Sequence, residues 1–225
     1  HHEHRRQRQM CIRDRPGAAG HRAGAKGVRV ISEACVEMGI KNLTLFAFST
    51  ENWYRPEGEV SMLMDLMRYV MRTDIEDLHA QGVKLRIIGD RSRFADDIHE
   101  MMDDCEALTR NNQRLNLNVA VNYGGRWDIV EASKALALRV QNGEIAADDI
   151  NESMLHQHMS LGDLPEPDLL IRTGGDFRVS NFMLWDIAYT ELYFTEAFWP
   201  EFDGGHLRSA VETFSARLRR FGRRP

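Results

Sequence analysis

The chain has 225 residues, 43% of them hydrophobic, with 29 Lys+Arg against 34 Asp+Glu and a net charge of −5. That supplies core material for one domain, and the acidic balance argues against a general nucleic-acid binder. Cys11, Cys35 and Cys105 are widely spaced and odd in number, which excludes a complete disulfide framework; no apolar run reaches the ~18–20 residues of a membrane helix, so a cytoplasmic setting is expected.

Helix and strand patterns alternate along the chain. Val28, Ile31, Cys35 and Met38 fall on one face of a helix over 18–38, stopped by Gly39. "LTLFAF" (43–48) reads as a buried strand. A long Met- and Leu-rich helix is predicted over 60–78, closed by Gly82. "VKLRIIG" (83–89) is the next strand. Phe94, Ile98, Met101, Cys105 and Leu108 make another helical stripe. "LNLNVAV" (115–121) is a strand, followed by a helix over 126–140 and a short one near Met154. Strands at 168–171 and 191–195 precede a C-terminal helix. This alternation predicts an α/β fold: one domain, with a central, mostly parallel sheet flanked by helices.

In such sheets ligands sit beyond the carboxyl ends of the strands. The loops there are "STENWYRP", "GDRSRF", "NYGGRWD" and "RTGGDFRVSN". Each carries arginine, and three also carry glycine. Guanidinium forks bind phosphate oxygens bidentately, and glycine lets backbone N–H groups approach an anion. Arg172, Arg178 and Ser180, with Gly174 and Gly175 between them, therefore form a candidate clamp for a diphosphate or a carboxylate.

"FSTENWYRP", "NYGGRWDIV", "DLLIRTGGDFRVSNFMLWDIAYTELYFT" and "WPEF" together resemble the cis-prenyltransferase family, over about 20–222. The resemblance implies a homodimer that condenses isopentenyl diphosphate units onto farnesyl or another allylic diphosphate. The product is a long-chain polyprenyl diphosphate, undecaprenyl diphosphate for a cell-wall lipid carrier, with Mg²⁺ as cofactor and peripheral membrane contact for product release. It places Arg172, Arg178, Val179 and Ser180 around the isopentenyl diphosphate and makes Glu191 a magnesium ligand. His21, Ser49, Thr50, Glu51, Trp53 and Arg55 match positions lining the allylic substrate. Asn52 matches the position described as proton-accepting, although a neutral carboxamide is hardly basic and suits orientation better. A hydrophobic tunnel is implied for the growing chain, with 60–71 as one wall and Met64 as a position to obstruct.

Two features stand apart. "DDIHE" (96–100) resembles the DDxxD motif of all-helical prenyltransferases, but its acids lie opposite the apolar stripe and read as a solvated helix start. Arg217, Arg219 and Arg220 in "RLRRFGRR" read as a helix terminus, a membrane-surface patch or, by the resemblance, an arm toward a partner subunit's site. The front departs from the family. Residues 1–19 lack the apolar strand and the MDGNGRW-type motif with its aspartate, and are expected to be disordered or non-native, leaving 20–225 as the family domain. A catalytically impaired relative, binding isopentenyl diphosphate or acting as a partner subunit, is the alternative this implies.

Overall fold

The computed structural model describes residues 17–217, the side chains of 17–23 and 25 excepted. In chain order the elements are α1 (Gly17–Glu37), β1 (Asn42–Ser49), α2 (Glu57–Thr73), α3 (Ile75–Ala80), β2 (Val83–Ile88), α4 (Asp96–Thr109), β3 (Leu115–Tyr123), α5 (Gly125–Gln141), α6 (Glu152–Gln157), β4 (Leu169–Arg172), β5 (Glu191–Phe194) and α7 (Gly204–Ser215). Short 3₁₀ turns follow β1 (Thr50–Tyr54) and β2 (Arg91–Arg93).

Every strand pairing is parallel. Strand β3 is central, between β1 and β2, and β4 pairs with β5; among the described residues no ladder joins the two groups. Strand side chains alternate between faces. One face carries Leu43, Leu45, Val83, Leu85, Ile87, Leu115 and Leu117 into a core with Ile31 and Cys35 of α1, Leu63 of α2, Leu78 of α3 and Ile98 and Met102 of α4. The other carries Phe46, Ile88, Ala120 and Tyr123 into a smaller core with Leu161, Phe182 and Met183. Both faces are covered, as an all-parallel sheet requires.

The alternation breaks at the carboxyl ends. Phe46 pairs with Ala120, Phe48 with Val121 and Ser49 with Tyr123, so Ala47 on β1 and Asn122 on β3 are each unpaired. The bulge at Ala47 returns Phe48 to the larger core, where it is 2% exposed.

Three sequence expectations need correction. The helix predicted over 60–78 is two, α2 and α3, broken at Asp74. The Thr73 hydroxyl there donates to Tyr69 O and to Asp74 Oδ1. The α4 stripe is Ile98, Met102, Cys105 and Thr109, whereas Leu108 is exposed. Thr109 buries its hydroxyl by donating to Cys105 O and accepting from Leu85 N, so a polar residue fills an interior position where sequence favours a leucine. Finally, Met64 packs against the core, but the α2 residues lining the cavity beneath the β1 and β4 exits are Leu63, Leu66, Met67, Val70 and Met71. Arg219, Arg220 and residues 1–16 lie outside the described residues.

Candidate functional site

At the exit of β4, Arg172 Nη2 and Arg178 Nη2 both donate to Asp176 Oδ2, at 3.2 and 2.8 Å. One carboxylate thus holds two guanidiniums on one anion-sized point. Arg172 is the more enclosed, its side chain 25% exposed against 58% for Arg178, and its Nε–H is buried with no hydrogen-bond partner. A buried unpaired donor is costly, so an arriving anion gains from satisfying it. Gly174 and Gly175 act otherwise than expected. Their left-handed φ values of 84° and 73° turn the chain, but their N–H groups donate to Ala197 O and Thr195 O and are spent on the loop itself. Ser180, exposed and at φ 50°, and Val179 complete the loop.

The turn after β1 is closed by its own side chains. Ser49 N donates to Asn52 Oδ1 at 2.9 Å. With that oxygen occupied, Asn52 presents an N–H₂ donor, which can orient an anion and cannot take a proton. Glu51 accepts from Thr50 Oγ1 and from Asn181 Nδ2. Burial raises its carboxyl, but the donors from Asn181, its own backbone, Ser49 and Thr50 outweigh that and hold it below the usual range. Arg55 reaches Glu59.

Two asparagines that sequence reasoning did not single out join these loops. Asn181 Oδ1 accepts from Arg126 N, and Asn181 O accepts from Gly125 N at 2.6 Å, so the exits of β1, β3 and β4 meet at one side chain. A Cβ at Gly124 would sit 2.6 Å from Asn181 Nδ2, and one at Gly125 2.6 Å from Leu184 N; the paired glycines of "NYGG" serve this close approach. Asn122 joins β2 and β3 to the β1 turn: Trp53 Nε1 donates to its Oδ1 at 2.8 Å, and its Nδ2 donates to Asp90 O at 2.7 Å. Trp53 is wedged against Phe48 and Phe94 with the Arg93 guanidinium 4.4 Å from its ring centroid. Arg91 is turned back onto Asp103 and Glu106. The arginines of the β2 loop are therefore committed to internal contacts.

Ser49, Asn52, Arg55, Arg172, Val179 and Ser180 line the polar part of a cavity of about 1110 Å³. Most of the remaining lining is apolar, with Leu63, Met67, Met71, Leu85, Met102 and Leu117 among it. The volume lies just above the ~300–1,000 Å³ usual for small-molecule pockets. Thr50, Glu51, Trp53 and Arg178 are not among the lining residues. His21 falls in α1, and its side chain lies outside the described residues. Asp186, on the cavity wall, is 3% exposed. Burial and the nearby charge of Asp128 push its carboxyl above the usual range.

Guanidiniums beside a largely apolar chamber suit an amphiphile with an anionic head and a hydrocarbon tail, and the family model "Putative undecaprenyl diphosphate synthase" matches residues 8–222. The chain belongs to the undecaprenyl diphosphate synthase family. It is 52% identical over 208 residues to the ditrans,polycis-undecaprenyl-diphosphate synthase of Pseudomonas aeruginosa, specific for (2E,6E)-farnesyl diphosphate, covering 92% of this chain and 83% of that one. The Legionella pneumophila enzyme of the same description is 49% identical over 207 residues, covering 92% and 87%. Among solved structures, lavandulyl diphosphate synthase from Lavandula x intermedia, in complex with dimethylallyl diphosphate, superposes with a TM-score of 0.89 at 36% identity, covering 92% of this chain and 89% of that one. A probable undecaprenyl diphosphate synthase from Campylobacter jejuni gives 0.79 at 36% identity, covering 89% and 92%.

The synthase family brings an expectation of magnesium, and the described residues do not by themselves make a site for it. Glu191 opens β5 in register with Leu169, whereas Arg172 pairs with Phe194 at the other end of the ladder. Its Oε2 accepts from Arg217 Nη1 at 2.7 Å. No cluster of three metal-ligating side chains occurs among the described residues.

Proposed function

We propose that the chain is a prenyl transferase that condenses isopentenyl diphosphate onto farnesyl diphosphate and makes a long-chain polyprenyl diphosphate such as undecaprenyl diphosphate. The observation that carries this is Arg172, which lines the 1110 Å³ cavity and shares the Asp176 carboxylate with Arg178. The farnesyl specificity of relatives near 50% identity supports the choice of primer.

In this reading Arg172, Arg178 and Ser180 hold the diphosphate of isopentenyl diphosphate, displacing Asp176 from the guanidiniums. The allylic primer lies along the β1 turn, where Ser49, Asn52 and Arg55 offer donors to its head. The new carbon–carbon bond forms as the allylic diphosphate departs, and a proton leaves the isopentenyl unit. Preorganised donors aimed at the developing charge lower that barrier. Asn52 contributes as such a donor, with its oxygen occupied by Ser49 N–H. The apolar cavity takes the growing hydrocarbon as a tunnel, and burying each CH₂ favours elongation by ~0.8 kcal/mol. Magnesium is the proposed cofactor, with Glu191 as the ligand the resemblance assigns.

A homodimer is proposed as well, supported by Phe177, Tyr189 and Leu192, exposed by 77%, 85% and 38% beside β5, whose outer side has no strand partner among the described residues. A cytoplasmic enzyme with peripheral membrane contact fits a chain in which no described helix is long and apolar enough to cross a membrane. The pairing of Glu191 with Arg217 supports a second reading, a relative that binds isopentenyl diphosphate without turnover. Incorporation of labelled isopentenyl diphosphate into farnesyl diphosphate decides between them. Extractable polyprenyl product is expected, and binding without incorporation would establish the second reading.

A further inference from the structure

The carboxamide of Asn122 occupies an unusual position. It is the unpaired residue of the central strand β3, between Val121 and Tyr123, and holds φ at 46°. A non-glycine residue in the left-handed region is uncommon and is kept where surrounding contacts over-determine it. Bulges next to active sites re-aim side chains, and this one sends a buried side chain, 3% exposed, across two neighbouring loops. Its Oδ1 accepts from Trp53 Nε1 and its Nδ2 donates to Asp90 O, while Asp90 N donates back to Asn122 O at 3.2 Å. The crossing is tight, since a Cβ on Gly89 would fall 1.9 Å from Val121 O.

We infer that Asn122 is a positioning residue for the allylic subsite: through Trp53 it fixes the β1-exit turn that carries Ser49, Asn52 and Arg55. This rests on the proposed placement of the allylic primer along that turn. Asn122 is not among the residues lining the cavity, so it acts at one remove. Trp53 transmits the constraint as a rigid indole held at its N–H by Asn122, against its rings by Phe48 and Phe94, and over its face by Arg93. Without the acceptor, the turn keeps its internal Ser49–Asn52 bond and the Glu51–Asn181 bond but loses its direct hydrogen bond to β3. The clamp of Arg172 and Arg178 shares none of these bonds, so the two subsites respond differently.

The test uses Asn122→Gly, because glycine adopts φ 46° freely and removes both side-chain bonds without backbone strain. Trp53→Phe is its mirror. The difference in emission between Asn122→Gly and Asn122→Gly/Trp53→Phe, compared with that between wild type and Trp53→Phe, reports the indole. A red shift of the Trp53 emission is expected in Asn122→Gly, and an unchanged difference spectrum overturns the inference. Calorimetric titration of the full chain is expected to give about ten-fold weaker farnesyl diphosphate binding, ~1.4 kcal/mol, with isopentenyl diphosphate unchanged. The double variant is expected to be no weaker than either single one, as for residues acting through one bond. Equal weakening for both ligands, or additive losses, would mark Asn122 as a general stabiliser. If the wild-type chain binds no farnesyl diphosphate, the allylic reading fails, while the emission comparison still decides whether Asn122 holds Trp53.

Discussion

Replacing Arg172 by alanine is expected to weaken isopentenyl diphosphate binding more than replacing Arg178. Arg172 is three-quarters buried, its Nε–H is sealed from solvent without a partner, and its Nη2 bond to Asp176 is 3.2 Å, longer than the 2.8 Å bond from Arg178. A charge-assisted hydrogen bond contributes ~1.5–3 kcal/mol, which is about 10- to 150-fold in Kd. Arg178 is 58% exposed, and a solvent-screened pair contributes ~0–1 kcal/mol, at most about five-fold. Truncating Arg172 also leaves Asp176 held by Arg178, so the variant retains an ordered loop. Calorimetric titration of isopentenyl diphosphate into each variant at one salt concentration gives both numbers. Wild-type affinity in Arg172→Ala, or a larger loss in Arg178→Ala, would refute the reasoning from burial.

Met67→Trp, on the cavity-lining side of α2, is expected to shorten the product without abolishing the first condensation, read as a truncated chromatographic ladder. Gly125→Ala, whose Cβ would meet Leu184 N at 2.6 Å, is expected to cost ~1–3 kcal/mol by overpacking, seen as a lower midpoint in urea. Asp186→Asn is expected to stabilise at neutral pH. Burial, then Asp128, raises the carboxyl, so its contribution favours folding fully below the ordinary carboxyl value of ~3.9 and is lost as pH rises through the raised one. The Tm advantage of the variant should therefore be present at pH 7 and vanish near pH 3, and a less stable variant at pH 7 would contradict this.

Strands β1 to β3 are legible because a strand buried on both faces of a parallel sheet shows as a short apolar run, and Gly39 and Gly82 mark real stops at φ 72° and 76°. The clamp is legible because Arg172 and Arg178 follow such a run directly. The break at Asp74 is hidden because Met71, Ile75 and Leu78 continue a helical spacing across it. Asn122 and Asn181 are invisible for a different reason. Their roles depend on which loops meet in space, and an asparagine in a polar loop carries no sequence signal that separates a surface turn from a buried bracket. Trp53 shows the same limit: the motif names the residue, and only packing shows it braced against Phe48 and Phe94.

The parallel order of β1, β3 and β2 also has a consequence in time. Asn42 meets Asn116 across 74 residues of chain, so β1 has no ladder until β3 has left the ribosome. At ~5–20 residues per second, Leu43, Leu45 and Phe48 wait on the order of 4–15 s for their partner. Non-local pairing of this kind also folds slowly and exposes strand edges to aggregation. Production yield should accordingly be sensitive to growth temperature and to chaperones that shield nascent chains, even for variants whose finished fold is as stable as the parent.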